Sequence, residues 1–175
     1  ERCEIITRDG KTKVLTSSDI NFSYRSSDLR DDCIVTRVTL KGKRAKPALI
    51  RKIMEKNQLK RKESQPIGEK TGGSTFKNPK TKHHMSGVLM SAWQLVDQAN
   101  LRGKKLRGAQ VSELHSNFLI NLGNASAEDF EALGELIQDR VYFDSGIKLE
   151  WEIKRVGLRA VVEKSSNNLE NGNGW

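Results

Sequence analysis

The sequence has few of the residues that stabilise small secreted proteins or that span membranes. It contains two cysteines, Cys3 and Cys33, which lie far apart and outside any CxxC or cysteine–histidine spacing. This pattern gives no support for a zinc site or a disulfide framework. No apolar run approaches ~18 residues, the length of a membrane-spanning helix. The first four residues are mostly charged, unlike a signal peptide. We therefore expect reduced thiols, no metal, no membrane insertion and a cytoplasmic location.

Aromatic residues are also scarce, whereas charged residues are common. They make up 6% and 30% of the chain, and the net charge is +9. A chain of 175 residues can form one domain with a real core or two small ones. The positive charge favours an anionic partner, which could be nucleic acid, a phosphorylated metabolite or a membrane surface. The chain does not begin with methionine, which leaves open that it is the later part of a longer polypeptide.

The first third of the chain predicts a small sheet followed by a helix. The strand-like stretches are 4–7, 13–15 and 33–40, and Asp9-Gly10 favours a hairpin turn between the first two. A helix is expected to begin near Lys46-Pro47. Its apolar stripe comprises Leu49, Ile50, Ile53 and Met54. The basic run 56–62 has no interleaved aromatic residues, so a solvated helix end explains it better than a nucleic-acid site.

The rest of the chain predicts mixed helices and strands. The polar stretch 63–70 favours a domain boundary or linker. Helices are expected over 92–99 and from the N-cap Ser126 to about Val141, and strands over 106–113, 118–122 and 147–156. The adjacent pair His83-His84 belongs in a loop, because neighbouring side chains make poor joint metal ligands. The composition of residues 164–175 predicts a disordered tail.

A polar stretch, Thr71 to Pro79, combines groups suited to chemistry. Gly72 and Gly73 allow positive φ and close approach to a ligand, Ser74 supplies a hydroxyl and Lys77 a charge. We predict a loop here, and an ordinary turn is the commoner explanation of such a loop.

Three other polar residues allow two interpretations. Arg25 could be a surface cation or a guanidinium that grips a carboxylate with two hydrogen bonds. His115 is more often a structural residue than a catalyst. Glu152 shares the polar face of the last predicted strand with Glu150 and Lys154, as it would on a solvated strand.

Five motifs in register resemble the UDP-N-acetylenolpyruvoylglucosamine reductase (MurB) family of flavoenzymes. They are Phe22-Ser23-Tyr24-Arg25-Ser26-Ser27, Gly73-Ser74-Thr75-Phe76-Lys77-Asn78-Pro79, Ala92-Trp93-Gln94-Leu95-Val96-Asp97-Gln98-Ala99, Gly108-Ala109-Gln110-Val111-Ser112-Glu113 and Leu149-Glu150-Trp151-Glu152-Ile153-Lys154. The form of the second and fourth motifs is similar to the family branch that lacks an extra tyrosine-bearing substrate loop.

The resemblance implies an α+β chain in which the end of an FAD-binding domain, of the PCMH or vanillyl-alcohol-oxidase type, precedes a substrate-binding MurB C-terminal domain. The expected limits are 1–66 for the first, 67–160 for the second and 161–175 for the tail. The family's glycine-rich flavin-pyrophosphate segment has no counterpart in this sequence. We therefore expect most of the FAD site to lie outside the chain, in a missing N-terminal part, and the 175 residues alone to be inactive.

The implied reaction uses NADPH and FAD to reduce UDP-N-acetylglucosamine enolpyruvate to UDP-N-acetylmuramate in peptidoglycan synthesis. By the same resemblance, Ser74 is the proton donor, Arg25 grips the substrate carboxylate and Glu152 is the active-site glutamate. Negative charge develops on that carboxylate, so the arginine stabilises the transition state more than the ground state. Expected substrate contacts are Lys77, Asn78, Gln110, Ser112 and His115.

Two rival functions are also compatible with the sequence. The first is a basic nucleic-acid-binding module, motivated by the net charge and the run 56–62, although no known nucleic-acid-binding signature supports it. The second is a purely structural or regulatory role.

Overall fold

The structure is a computed structural model, and it describes residues 1–157. The chain divides into two compact units: the N-terminal unit, Glu1–Ser64, and the C-terminal unit, which begins at Gln65. The tail predicted over 161–175 lies outside the described residues. The functional limits predicted at 66–67 and 160 stay a prediction.

The N-terminal unit contains a small antiparallel sheet, a short hairpin and one helix. Its elements are β1 (Arg2–Ile6), β2 (Thr12–Thr16), β3 (Phe22–Ser23), β4 (Ser26–Ser27), β5 (Ile34–Thr39) and α1 (Pro47–Ser64). The sheet order is β2-β1-β5, and β3 pairs with β4. The strands and the helix predicted for this region are confirmed.

The core of the N-terminal unit is small. Cys3, Ile5 and Ile20 form its buried cluster. Helix α1 has no buried residue, and the predicted apolar stripe is exposed, with Met54 56% accessible. The 3.6-residue period therefore predicted the helix correctly, but within the described residues its apolar face is not buried.

The C-terminal unit packs two helices against an antiparallel sheet. Its elements are β6 (Thr71–Ser74), α2 (Ala92–Gln98), β7 (Lys105–Leu106), β8 (Ala109–Val111), β9 (Phe118–Asn121) and α3 (Ala127–Ser145). The sheet order is β6-β9-β8-β7, so β6 and the two-residue β7 are the edge strands. Both predicted helices and the strand β9 are confirmed.

Three sequence predictions in this unit are wrong in part. The stretch from Thr71 begins as strand β6 rather than as a loop. The single strand expected over 106–113 is the hairpin β7–β8, because Arg107 adopts φ 50° and turns the chain. The strand expected over 147–156 is reduced to one bridge between Trp151 and Phe76. The predicted alternation of burial holds over 147–150, where Ile147 and Leu149 are buried and Lys148 and Glu150 are exposed. It does not continue over 151–153, where all three residues are partly buried.

Helix α3 is fixed at both ends and forms the centre of the core. A capping box closes its start: the Ser126 hydroxyl accepts a hydrogen bond from the Asp129 amide, and the Asp129 carboxylate accepts one from the Ser126 amide. This second hydrogen bond lowers the pKa of Asp129. Leu133, Ile137 and Val141 are fully buried along one face. Within residues 1–157, none of the helices is long and apolar enough to cross a bilayer.

Candidate active site

Ser74 ends an edge strand that contains a β-bulge. Thr71 pairs with Ile120 and Ser74 with Phe118, so three steps along β6 oppose two along β9. Gly73 takes up the extra residue with φ +94°, a conformation that L side chains rarely adopt. Bulges re-aim the side chains that follow them and are common beside active sites. The glycines that predicted a loop thus shape the strand end at which Ser74 lies.

Beyond Ser74, the chain is held on one side by Asn117. The Thr75 amide donates to the Asn117 carbonyl at 2.7 Å. The Phe76 amide donates to Asn117 Oδ1 at 3.0 Å, and Asn117 Nδ2 donates to the Phe76 carbonyl at 2.9 Å. Asn117 is 5% exposed and Phe76 is 1% exposed. These hydrogen bonds continue the β6–β9 pairing past the end of both strands.

On its other side, the same stretch pairs with the segment that carries Glu152. The Glu152 amide donates to the Thr75 carbonyl and the Lys77 amide to the Glu150 carbonyl, both at 2.8 Å. Since Thr75 follows Ser74 directly, the structure places Ser74 and Glu152 on adjacent, hydrogen-bonded segments. This is the part of the predicted catalytic set that lies within one unit.

Trp151 anchors the Glu152 segment to the core. Its ring lies 5.1 Å from the Phe76 ring, centroid to centroid, at an interplanar angle of 44°. It also covers Gly134 of α3 so closely that a Cβ built there would lie 1.9 Å from Trp151 Cη2. Gln138 Nε2 donates to the Leu149 carbonyl at 2.6 Å just before it. The position of Glu152 therefore depends on helix α3.

Lys77 and Asn78 follow the paired stretch and make different contacts. Lys77 Nζ lies 3.3 Å from Glu150 Oε2 in an exposed ion pair, which contributes little to stability. Asn78 Oδ1 accepts a hydrogen bond from the Ala92 amide at 3.0 Å and so ties the stretch to the start of α2. The Lys77 side chain is 39% accessible, so its ammonium group can contact a ligand.

Gln110 and Ser112 are buried and bind neighbouring backbone. Gln110 Nε2 donates to the Gly103 carbonyl at 3.2 Å and to Glu113 Oε1 at 3.3 Å. Ser112 Oγ accepts from the Leu114 and His115 amides, both at 3.2 Å. Ser112 thus supports the loop between β8 and β9, whereas Gln110 links β8 to Gly103 and to Glu113. Their role as substrate contacts stays a prediction.

His115 lies in that loop with its ring between two aromatic side chains. The ring is 4.9 Å from Phe118 and 6.1 Å from Trp93, centroid to centroid. Burial lowers the pKa of His115 below its usual 6.5. Nδ1 accepts a hydrogen bond from the Asn117 amide at 3.3 Å, which requires that nitrogen to be unprotonated. The neutral ring is thus the form that fits the loop.

Arg25 belongs to the N-terminal unit. It lies in the two-residue turn between β3 and β4, with φ 59°, and its guanidinium is 5.5 Å from the Tyr24 ring centroid. Positive φ is uncommon for arginine and is concentrated at turns and functional sites. The placement of Arg25 with Ser74 and Glu152 stays a prediction.

Sequence reasoning missed Asn117 and Gly134, which position the predicted residues. An asparagine before an apolar strand resembles any turn residue, and a glycine within a helix gives only a weak indication of close packing. The roles of both residues become clear only from their contacts in the structure. Asn117 binds the Phe76 backbone, and Gly134 packs against the Trp151 ring.

Two observations on the described residues bear on metal and cofactor binding. Among residues 1–157 there is no group of three or more His, Cys, Asp or Glu side chains that could hold a metal ion. The N-terminal unit has a mainly apolar cleft of about 330 Å³ beside Ile20, Phe22 and Val38. Its glycines are Gly10 and Gly42, too isolated to form a phosphate-binding loop.

Comparisons with known proteins agree with this geometry. Residues 65–156 match the family described as UDP-N-acetylenolpyruvoylglucosamine reductase, C-terminal domain. The chain belongs to the UDP-N-acetylenolpyruvoylglucosamine reductase family. The family assignment and the α+β fold class, with the MurB C-terminal domain placed last, are confirmed. Nothing in the comparisons favours the nucleic-acid-binding alternative.

Curated relatives carry the name of this reductase family and are longer than the chain. The protein of Bradyrhizobium sp. (strain ORS 278) is 51% identical over 155 residues, which cover 89% of this chain and 48% of the relative. The protein of Rhodopseudomonas palustris (strain HaA2) is 48% identical over 157 residues, 90% of this chain and 48% of the relative. The chain thus spans about half the length of these reductases.

A solved structure of the reductase family has the same fold. The crystal structure of UDP-N-acetylenolpyruvylglucosamine reductase (MurB) from Thermus caldophilus superposes with a TM-score of 0.73 and 34% identity. The match covers 88% of this chain and 52% of that one. It therefore extends beyond the C-terminal domain into the N-terminal unit.

Proposed function

We propose that the chain is the C-terminal part of UDP-N-acetylmuramate dehydrogenase, an oxidoreductase that uses FAD and NADPH to reduce UDP-N-acetylglucosamine enolpyruvate to UDP-N-acetylmuramate. The observation that carries the proposal is the pairing of the Ser74 and Glu152 segments through Thr75. The names of the relatives support it. The setting is cytoplasmic peptidoglycan synthesis, and the free thiols Cys3 and Cys33 fit a reducing compartment.

The chain contributes to protonation and to binding of the substrate. FAD supplies hydride chemistry when bound, and the residues that hold it belong mainly to polypeptide outside this chain. Ser74 donates a proton to the carbon next to the substrate carboxylate. A hydroxyl is a weak acid, but the carbanion-like centre that it meets is a strong base.

The other two catalytic roles concern the substrate carboxylate. Arg25 grips that group, which gains negative charge as the double bond is reduced. Glu152, on the segment beside Ser74, is the proposed active-site glutamate.

The substrate is a diphosphate, and Lys77 is its proposed cationic contact. A lysine ammonium group is a mobile point charge and suits a phosphate. Lys77 can leave Glu150 for phosphate oxygens at little cost in free energy, because the Lys77–Glu150 ion pair is exposed. Asn78, Gln110, Ser112 and His115 are proposed to complete the substrate-binding surface. Their backbone contacts make them positioning residues as much as ligand contacts.

Replacement of Ser74 tests the proposal. In the complete reductase polypeptide, Ser74→Ala is expected to leave reduction of bound flavin by NADPH unchanged. Reoxidation of the reduced flavin by the enolpyruvyl substrate is expected to slow by about 10²- to 10⁴-fold, the usual contribution of a proton-transferring side chain. Rapid-mixing absorbance at the flavin bands separates the two half-reactions.

The matched control is Ser86→Ala, which removes an exposed hydroxyl from a loop of the same unit. It should leave both half-reactions within about twofold, as is usual for a surface substitution. Near-normal flavin reoxidation in Ser74→Ala would rule out Ser74 as the proton donor.

A further inference from the structure

Asn117 pairs with Phe76 as a strand backbone would. A side-chain amide presents an acceptor and a donor in one plane, as a peptide group does. Its Oδ1 accepts from the Phe76 amide and its Nδ2 donates to the Phe76 carbonyl, at 3.0 and 2.9 Å. The two bonds together fix the orientation of the amide, because exchange of its oxygen and nitrogen would break both.

This contact lies where the main-chain pairing of the sheet ends. Phe118, the first residue of β9, lies opposite Ser74, and Asn117 immediately precedes that strand. The Asn117 carbonyl and side chain continue the hydrogen bonding between the two segments by two residues, to Thr75 and Phe76. The far side of those two residues carries the hydrogen bond from the Glu152 amide. Asn117 is therefore bonded to the stretch that joins Ser74 to the Glu152 segment.

We propose that Asn117 is a positioning residue that sets the relative placement of Ser74 and Glu152 for proton transfer. The inference rests on the proposed function of Ser74. Asn117 acts through the backbone of Thr75 and Phe76 and does not touch the reacting atoms. Because both hydrogen bonds are buried, loss of either leaves an unsatisfied backbone group that must move to find a new partner.

The loop before β9 is built to hold Asn117 in place. His115 Nδ1 accepts from the Asn117 amide, and Ser112 Oγ accepts from the His115 amide. Ser116, buried beside Asn117, donates to the Trp93 carbonyl of α2 at 2.8 Å. Ser112 and His115 therefore help to hold Asn117 in place, through hydrogen bonds within the loop.

The test is Asn117→Asp in the complete reductase polypeptide. Aspartate keeps the volume and the acceptor for the Phe76 amide, but it places a carboxylate oxygen against the Phe76 carbonyl. We expect kcat to fall about 100-fold, the scale of a misplacement of about 1 Å. The KM for the UDP-sugar should stay within about threefold, since the proposed substrate contacts are kept.

Asn121→Asp is the matched control on the same strand. The Asn121 side chain also binds backbone, through Oδ1 to the Gly123 and Ala125 amides, but in the turn before α3. Its kcat should remain within about threefold of the parent. An equal loss of kcat in the two variants would overturn the proposal, because it would show a general effect on β9.

Amide hydrogen exchange supplies a readout that does not depend on activity. Asn117→Asp should speed exchange of the Phe76 and Glu152 amides at least about tenfold, because repulsion at the Phe76 carbonyl displaces that stretch. Asn121→Asp should leave exchange at Phe76 and Glu152 unchanged, since its carboxylate can still accept from the Gly123 and Ala125 amides. Asn117→Ser, which is too short to reach both Phe76 groups, should act in the same direction if the aspartate variant folds poorly. Unchanged exchange at Phe76 in both Asn117 variants would overturn the proposal.

The outcomes separate this inference from the proposed function. If Ser74→Ala blocks flavin reoxidation while the Asn117 variants keep full kcat, Asn117 is not a positioning residue and the proposed function stands. If Ser74→Ala keeps full activity, the proposed role of Ser74 fails and the positioning proposal fails with it, whatever the exchange rates show.

Discussion

The two units of the chain differ most in how they bury apolar residues. The described part of the C-terminal unit has a cluster of fourteen buried hydrophobic residues, whereas that of the N-terminal unit has three. In the latter, Phe22 is 71% and Leu40 82% exposed. Since burial of apolar surface is the main favourable term in folding, the stability of this chain depends chiefly on the C-terminal unit.

Charge is divided just as unequally. Residues 1–64 hold 17 of the 31 basic side chains but only nine of the 22 acidic ones. Nearly all of the excess positive charge therefore lies in the N-terminal unit, away in sequence from Ser74, Lys77 and Glu152. The net charge of +9 therefore comes mainly from residues 1–64.

The largest expected effect is the difference in the free energy of unfolding between two isoleucine substitutions, one in a helix of each unit. Ile137→Ala in α3 should lower the free energy of unfolding by about 2–5 kcal/mol, because the side chain is fully buried and leaves a cavity. Ile53→Ala in α1 should change it by less than about 0.5 kcal/mol, because half of that side chain is exposed. Urea unfolding followed by circular dichroism measures both. Equal losses would show that α1 is buried in solution.

A glycine pair gives the next largest contrast. Gly134→Ala should cost about 1–3 kcal/mol, since its Cβ would overlap the Trp151 ring and overpack the core. Gly42→Ala in the N-terminal unit should be close to neutral, because a Cβ there meets no atom within 4 Å. Thermal unfolding gives the cost, and Trp151 fluorescence reports whether the ring has moved. A neutral Gly134→Ala with unchanged fluorescence would contradict the close packing.

The smallest expected effect is a pH dependence confined to the C-terminal unit, which holds all three histidines. Burial favours the neutral form of His115, so the unfolded chain binds more protons and the folded-state pKa lies below 6.5. The contribution of His115 to stability is therefore complete above about pH 6.5 and is lost as pH falls through the lower, folded-state value.

Comparison with His115→Gln isolates this dependence. From about pH 7.5 to pH 5.5, the parent chain should lose more stability than the variant, because only the parent gains a proton at this position. Nuclear magnetic resonance titration of the His115 ring gives the pKa directly. A value above 6.5 would contradict the burial argument.

The sequence predicted those parts of the fold that depend on local chemistry. Ser126 is a favourable N-cap residue, and Pro47 marks the start of α1, so both helices begin where expected. Strand predictions failed where partners decide the outcome. Leu149 and Trp151 alternate with charged residues as a strand does, yet the segment has little beyond Phe76 to pair with and makes a single bridge.

The candidate site could be predicted only in part for the same reason. Residue type and motif point to Ser74 and Glu152, whose segments the structure joins through Thr75. Asn117 carries no comparable signal in the sequence, because its importance comes from two hydrogen bonds to a residue 41 positions earlier. Local sequence predicts which groups can do chemistry, whereas distant contacts decide which groups hold them in place.

The order of the four-stranded sheet bears on how the C-terminal unit can aggregate or recruit another chain. An unpaired strand edge invites a foreign strand, and proteins protect such edges by covering or shortening them. Here β6 is continued by a stretch that the Glu150–Glu152 segment covers, and β7 at the opposite edge is two residues long. Strand addition is therefore disfavoured at β7 and along residues 75–77, the stretch that continues β6.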